Sequence, residues 1–211
     1  MKSYVLVAIL ILFCCYSHAQ QKNNILLIKS CKNALGLTRK LTKRGNVIDY
    51  KFLSSEQYQL QWGRKGGSLR TFYDTLYCSD PSTRNPLLIQ ESAKYLLMRY
   101  GCGSSCWAGI VLPLYKTARP KRIYYYVATD LKNDLIASID ITENALYPIF
   151  IIRNLRTGKV QTVPVKRGCI AASPHYCLDS ATIKNKIFYY KWSAKMDVNK
   201  SNPFKRIRIR I

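Results

Sequence analysis

Asp130, Asp134, Asp140 and Glu143 form the one acidic cluster of a strongly basic chain. Two carboxylates are the minimum for hydrolysing a glycosidic bond, one as acid and one as base or nucleophile. Glutamates are scarce, with only Glu56, Glu91 and Glu143 present. Asp134 reads more simply as a turn residue, and Asp140 and Glu143 sit near a loop. A secreted, carboxylate-based hydrolase is therefore the alternative reading of function. Bases also interleave with aromatic rings. Trp62 stands beside Arg64 and Lys65, Arg122 beside Tyr124, and Tyr190 beside Trp192. Tyrosine and tryptophan rings stack on sugars or bases, while Lys and Arg pair with anionic groups. These seven residues are the expected ligand-binding set.

The second reactive group is sulfur. Residues 101–108 read G-C-G-S-S-C-W-A. Over about seven residues this resembles the papain-type cysteine-protease signature, in which C-G-S-C-W surrounds the nucleophile. The resemblance implies Cys106 as that nucleophile. It carries one serine too many, and the rest of the family pattern is missing. The family's nucleophile opens a helix near the mature N-terminus, whereas 107–114 holds Gly109 and Pro113 and reads as a strand. His175 is the only possible base, and it lies between Cys169 and Cys177. A nucleophilic thiol needs a depressed pKa and a positioned base. The expectation is instead a glycine-rich turn closed by Cys102 and Cys106, with Trp107 entering the core. No catalytic residue is assigned.

The N-terminus sets the compartment. Lys2, the apolar run 5–13 and Ser17-His18-Ala19 have the form of an export signal cleaved after Ala19. The run is shorter than the about 20 apolar residues a membrane helix needs. A lipid anchor on Cys14 or Cys15 is disfavoured by the bulky Leu12 and Phe13 before them. The expected plan is a signal peptide over 1–19 and one exported β-rich domain over 20–211. That domain is secreted or periplasmic and has no membrane-spanning segment. Six cysteines remain after cleavage: Cys31, Cys78, Cys102, Cys106, Cys169 and Cys177. An even number in an oxidising compartment reads as three disulfides. Proximity pairs Cys102 with Cys106 and Cys169 with Cys177, leaving Cys31 with Cys78. No C-x-x-C spacing occurs and His175 is the one histidine left, so neither metal nor cofactor is expected.

The whole chain carries a formal charge of +23. Without the signal it has 33 basic and eleven acidic side chains, a formal +22. Solubility needs far less, and such a field concentrates polyanions. Export removes intracellular nucleic acid as a partner and leaves polyanionic or glycan ligands. The leading expectation is a non-enzymatic exported domain that contacts anionic or carbohydrate ligands of the envelope or extracellular space. A third reading is a protein-binding inhibitor or assembly component.

The elements that must position these residues are strands. The chain has 16 tyrosines, many β-branched residues and repeated period-two patterns. Strands are expected over 46–53, 57–62 and 69–76, with a basic turn at 63–67. Residues 86–100 fit either a helix capped by Asn85 or two strands, 87–90 and 95–100, and strands are favoured. Hairpins follow: 122–129 with 135–141, 149–153 with 159–165, and 181–183 with 187–192. In 204–211, Ile207, Ile209 and Ile211 alternate with Arg206, Arg208 and Arg210, the pattern of a two-faced strand. The expected fold is all-β: an antiparallel sandwich, barrel or few-bladed propeller-like domain with disulfide-closed loops.

Overall fold

Period-two alternation turns directly into architecture. In a computed structural model, residues 38–53, 57–75, 86–103, 106–115, 117–140, 148–165, 169, 174–193 and 204–211 are described. They form antiparallel meanders, each strand pairing with the next along the chain. The chain divides into two compact units, Met1–Asn85 and Pro86–Ile211.

The first unit holds one sheet: β1 (Lys40–Leu41), β2 (Asn46–Phe52), β3 (Gln57–Arg64) and β4 (Arg70–Thr75). Along β3, Tyr58, Leu60 and Trp62 are buried while Gln59 and Gln61 are half-exposed. Opposite them stand Tyr50, paired with Leu60, and Ile48, paired with Trp62. β3 continues two residues past the expected end. The basic turn then reverses the chain through Gly66, whose φ of 79° suits a residue without a side chain.

The second unit stacks three sheets. The second sheet is β5 (Leu87–Glu91), β6 (Tyr95–Gly103), β7 (Cys106–Pro113) and β8 (Lys121–Tyr124). The third is β9 (Tyr126–Asp130), β10 (Leu135–Asp140), β11 (Ile149–Asn154) and β12 (Val160–Pro164). The fourth is β13 (Leu178–Lys184), β14 (Ile187–Trp192) and β15 (Lys205–Arg208). Residues 86–100 are thus strands, not a helix.

Successive side chains of a strand point to opposite faces, and β10 uses both for core. Leu135, Ala137 and Ile139 pack with Phe150, Ile152, Ile183, Phe188, Tyr190 and Trp192, joining the third sheet to the fourth. Ile136 points the other way and packs with Tyr95, Leu97, Val111 and Leu155, joining the third sheet to the second. The third sheet is therefore the middle of three layers. The fold is all-β and antiparallel, and among the described residues no sheet closes into a barrel. No helix among them is long and apolar enough to cross a membrane.

Turn chemistry fixes the registers. Asn185 and Lys186 take φ of 52° and 58° at the β13–β14 reversal, the two-residue turn whose twist matches a hairpin. Asn154 Oδ1 accepts from the amides of Arg156 and Thr157, and Gly158 closes that turn at φ 76°. The expected strand 122–129 is broken. Tyr125 has φ 50° and separates β8 from β9, so the chain leaves one sheet and enters the next. Its N–H donates to Trp107 O at 2.9 Å and its carbonyl accepts from Ile139 N at 3.0 Å, one bond to each sheet.

Candidate functional site: a cleft where two sheets part

The crossing at Tyr125 opens a wedge between the second and third sheets. In the β10–β11 register, Ile136 stands opposite Arg153, Ser138 opposite Ile151 and Asp140 opposite Ile149. These pairs face the second sheet, as Ile136 does. The β9–β10 register shifts between Ala137 and Ser138. Beyond that bulge Ser138 and Asp140 are half-exposed. The result is an open cleft of about 580 Å3. β8 and the crossing supply Lys121, Arg122, Ile123, Tyr124 and Tyr125, and β10 and β11 supply Ser138, Ile139, Asp140, Ile151 and Arg153.

The lining combines three cations, one carboxylate, three hydroxyls and isoleucine surface. Lys121 Nζ is steadied by the carbonyl of Leu155 at 3.2 Å. Arg122 borders the cleft from the edge strand β8, with its guanidinium 5.6 Å over the Tyr100 ring on the other face of the second sheet. Such a lining pairs with an anion, exchanges hydrogen bonds with hydroxyls and packs against an apolar ring face.

Two of the expected ligand-binding residues, Arg122 and Tyr124, meet at this cleft. Arg64 and Lys65 are exposed at the β3–β4 turn of the other unit. Trp62, Tyr190 and Trp192 are core side chains, only 0%, 7% and 5% exposed. Their rings are covered by protein and offer no stacking face, which corrects the expectation for these three. Lys121 and Tyr125 join Arg122 and Tyr124 from the same basic, aromatic stretch, and Ser138 and Arg153 come from outside the expected set. Only strand register puts Arg153 and Ser138 on one face, and register is not written in composition.

The acidic cluster disperses. Asp134 is buried in the left-handed conformation (φ 61°). Both its oxygens accept from Lys94 Nζ at 2.9 Å, and Arg156 Nε lies 3.9 Å away. Burial, then the Tyr115 hydroxyl at 3.0 Å, then Asp134 itself push the Tyr95 hydroxyl above its ordinary range. Asp130 accepts from Asn133 N and caps the 3-10 turn Leu131–Asn133. Asp134 and Asp140 bracket β10, six residues or about 20 Å apart along a strand. Glycosidase pairs stand about 5–10 Å apart, so neither Asp130 nor Asp134 partners Asp140. Glu143 lies outside the described residues.

Cys169 and Cys177 are bonded, and Cys106 is disulfide-bonded too. Its sulfur is no free thiolate, which removes the chemistry implied by the papain-like motif. Cys31 and Cys78 lie outside the described residues, as does the side chain of Cys102. Among the described residues no three His, Cys, Asp or Glu side chains converge as a metal site.

His175 sits in the 3-10 turn Pro174–Cys177. Its ring meets Trp107 edge-on at 4.7 Å, stacks on Tyr125 at 6.1 Å and touches Tyr176 at 4.1 Å. Burial among these rings lowers its pKa below the usual 6.5. The unfolded chain then binds the proton first. His175 thus subtracts stability as pH falls through about 6.5 and has no effect well above it. The drop in unfolding midpoint between about pH 7.5 and about pH 5 should shrink in His175→Phe. An unchanged drop would assign it to other groups.

Comparison with protein-family models, with curated proteins and with solved structures found no match to this chain.

Proposed function

We propose that this chain is an exported, non-enzymatic binding protein whose cleft holds an acidic carbohydrate. The cleft composition carries the reading: Lys121 and Arg153 against the one lining carboxylate, Asp140, with Ser138 and Tyr125 beside them and Arg122 and Tyr124 at the bordering edge strand. Arg153 and Lys121 pair with a carboxylate or sulfate, bonds that are stronger than neutral ones. Asp140 and the hydroxyls bond to sugar hydroxyls, and the isoleucine surface of the cleft packs on the apolar sugar face. The formal +22 without the signal raises the encounter rate of such a ligand. The signal-like N-terminus and the Cys169–Cys177 bond support export.

Calorimetric titration with a uronate disaccharide and a neutral disaccharide tests this. The acidic sugar should bind more tightly, and Arg153→Ala should weaken it about 10-fold, the loss of one charge-assisted bond. Equal binding of the neutral sugar, or indifference to Arg153, would remove the proposal. Cleavage of the sugar, abolished in Asp140→Asn, would establish the hydrolase alternative instead.

A further inference from the structure

We infer that the outer face of the fourth sheet is a second binding surface, which takes a single chain of sulfated or carboxylated polysaccharide. The argument does not rest on the cleft. Its source is the registers of β13, β14 and β15. Phe188, Tyr190 and Trp192 point into the core, so Ile187, Tyr189 and Lys191 point out. Across the sheet, Lys184, Ile187 and Arg208 form one row, and Thr182, Tyr189 and Arg206 the next. Lys191 stands beyond them, opposite Ser180.

Arg206 and Arg208 thus line the β15 margin, Lys184 stands on β13, and Lys191 continues the central row of Ile187 and Tyr189 on β14. Lys184, Arg206 and Arg208 are exposed and Lys191 is half-exposed. The nearby carboxylate, Asp179, accepts from Ser193 Oγ at 2.8 Å at the end of the sheet. Arg206 and Arg208 are about 7 Å apart along their strand, and the three strands span about 10 Å. That width admits one extended polymer chain with charges on both sides.

The aromatic residue decides between polymers. Single-stranded nucleic acid is held largely by bases stacked on open rings. Here the ring of Tyr189 already carries the Arg206 guanidinium at 6.0 Å. What remains is ion pairing with no stacking platform, which suits a polymer whose anionic groups hang from sugars.

The test is binding of the secreted full chain to a heparin-derived octasaccharide across a salt series. Oligo-dT of equal charge is the comparison. Arg206→Ser/Arg208→Ser should bind the octasaccharide at least about 10-fold more weakly, with a salt slope shallower by about two ions. The double variant should lower affinity by the same factor in an Arg153→Ala background, since the cleft, which also takes acidic sugar, is a separate site. Unchanged affinity and slope in the double variant would overturn the inference. So would oligo-dT binding more tightly than the octasaccharide. Should the double variant unfold early, Lys184→Ser/Lys191→Ser makes the same test from the β13 and β14 strands of the face. Failure of Arg153→Ala to weaken the disaccharide would count against the cleft alone.

Discussion

Phe150→Ala is expected to cost the Pro86–Ile211 unit about 3–5 kcal/mol, the range for emptying a fully buried aromatic site. Phe150 is 0% exposed and lies on the face of β11 that meets the fourth sheet. Its ring contacts Phe188 at 5.0 Å, Tyr190 at 4.8 Å and Trp192 at 5.9 Å, two of them edge-to-face. Each such pair adds about 0.5–1.5 kcal/mol beyond buried area. All three partners come from one strand, β14, so a single truncation strips the contact between two layers. A domain is stable by only about 5–15 kcal/mol, and the loss is a large part of that. Urea unfolding followed by tryptophan fluorescence would measure it. Phe150→Leu, which keeps much of the volume, should cost about half as much or less. A loss under about 1 kcal/mol for alanine would mean that this cluster does not hold the layers together.

Replacing Cys169 and Cys177 together by alanine should cost about 2–3 kcal/mol, from the chain entropy released when a short loop opens. The two residues are eight apart in sequence and only 3% and 2% exposed. They pack in the same core as Phe150. The melting temperature should fall by about 5–10 °C, and reductant should lower that of the parent by more than that of the variant, which keeps the Cys106 bond. The bond also anchors the turn that carries His175 against Trp107 and Tyr125, and Tyr125 lines the cleft. Acidic-sugar binding should therefore weaken alongside stability. A variant that melts with the parent would show that the surrounding sheets alone hold this loop.

Much of the fold was legible because strands declare themselves by alternation. Ile207 and Ile209 turn inward and Arg206 and Arg208 outward, as their spacing requires. The reversals at Asn185 and Gly158 were marked by their own residue types. The break at Tyr125 was not. Three consecutive tyrosines read as unbroken strand, and nothing local announces a positive φ at a residue with a bulky side chain. The binding residues suffered from a related ambiguity. In Tyr189-Tyr190-Lys191-Trp192 both parities offer a ring. Lys191 was the clue, since its parity marks the solvent side and leaves Tyr190 and Trp192 for the core. The cleft was half visible, through Arg122 and Tyr124. Its other wall depends on which residues of β10 and β11 stand opposite one another, and that pairing is set by the fold.

The middle position of the third sheet has a consequence for how the unit comes apart. Amides of β10 and β11 reach water only when a flanking layer lifts away, so their hydrogen exchange should report global opening, not local fraying. A fragment ending after β12 would leave Ala137, Phe150 and Ile152 facing solvent as an adhesive apolar wall. The three layers therefore behave as one cooperative block, in which neither flank can be shed without exposing the centre.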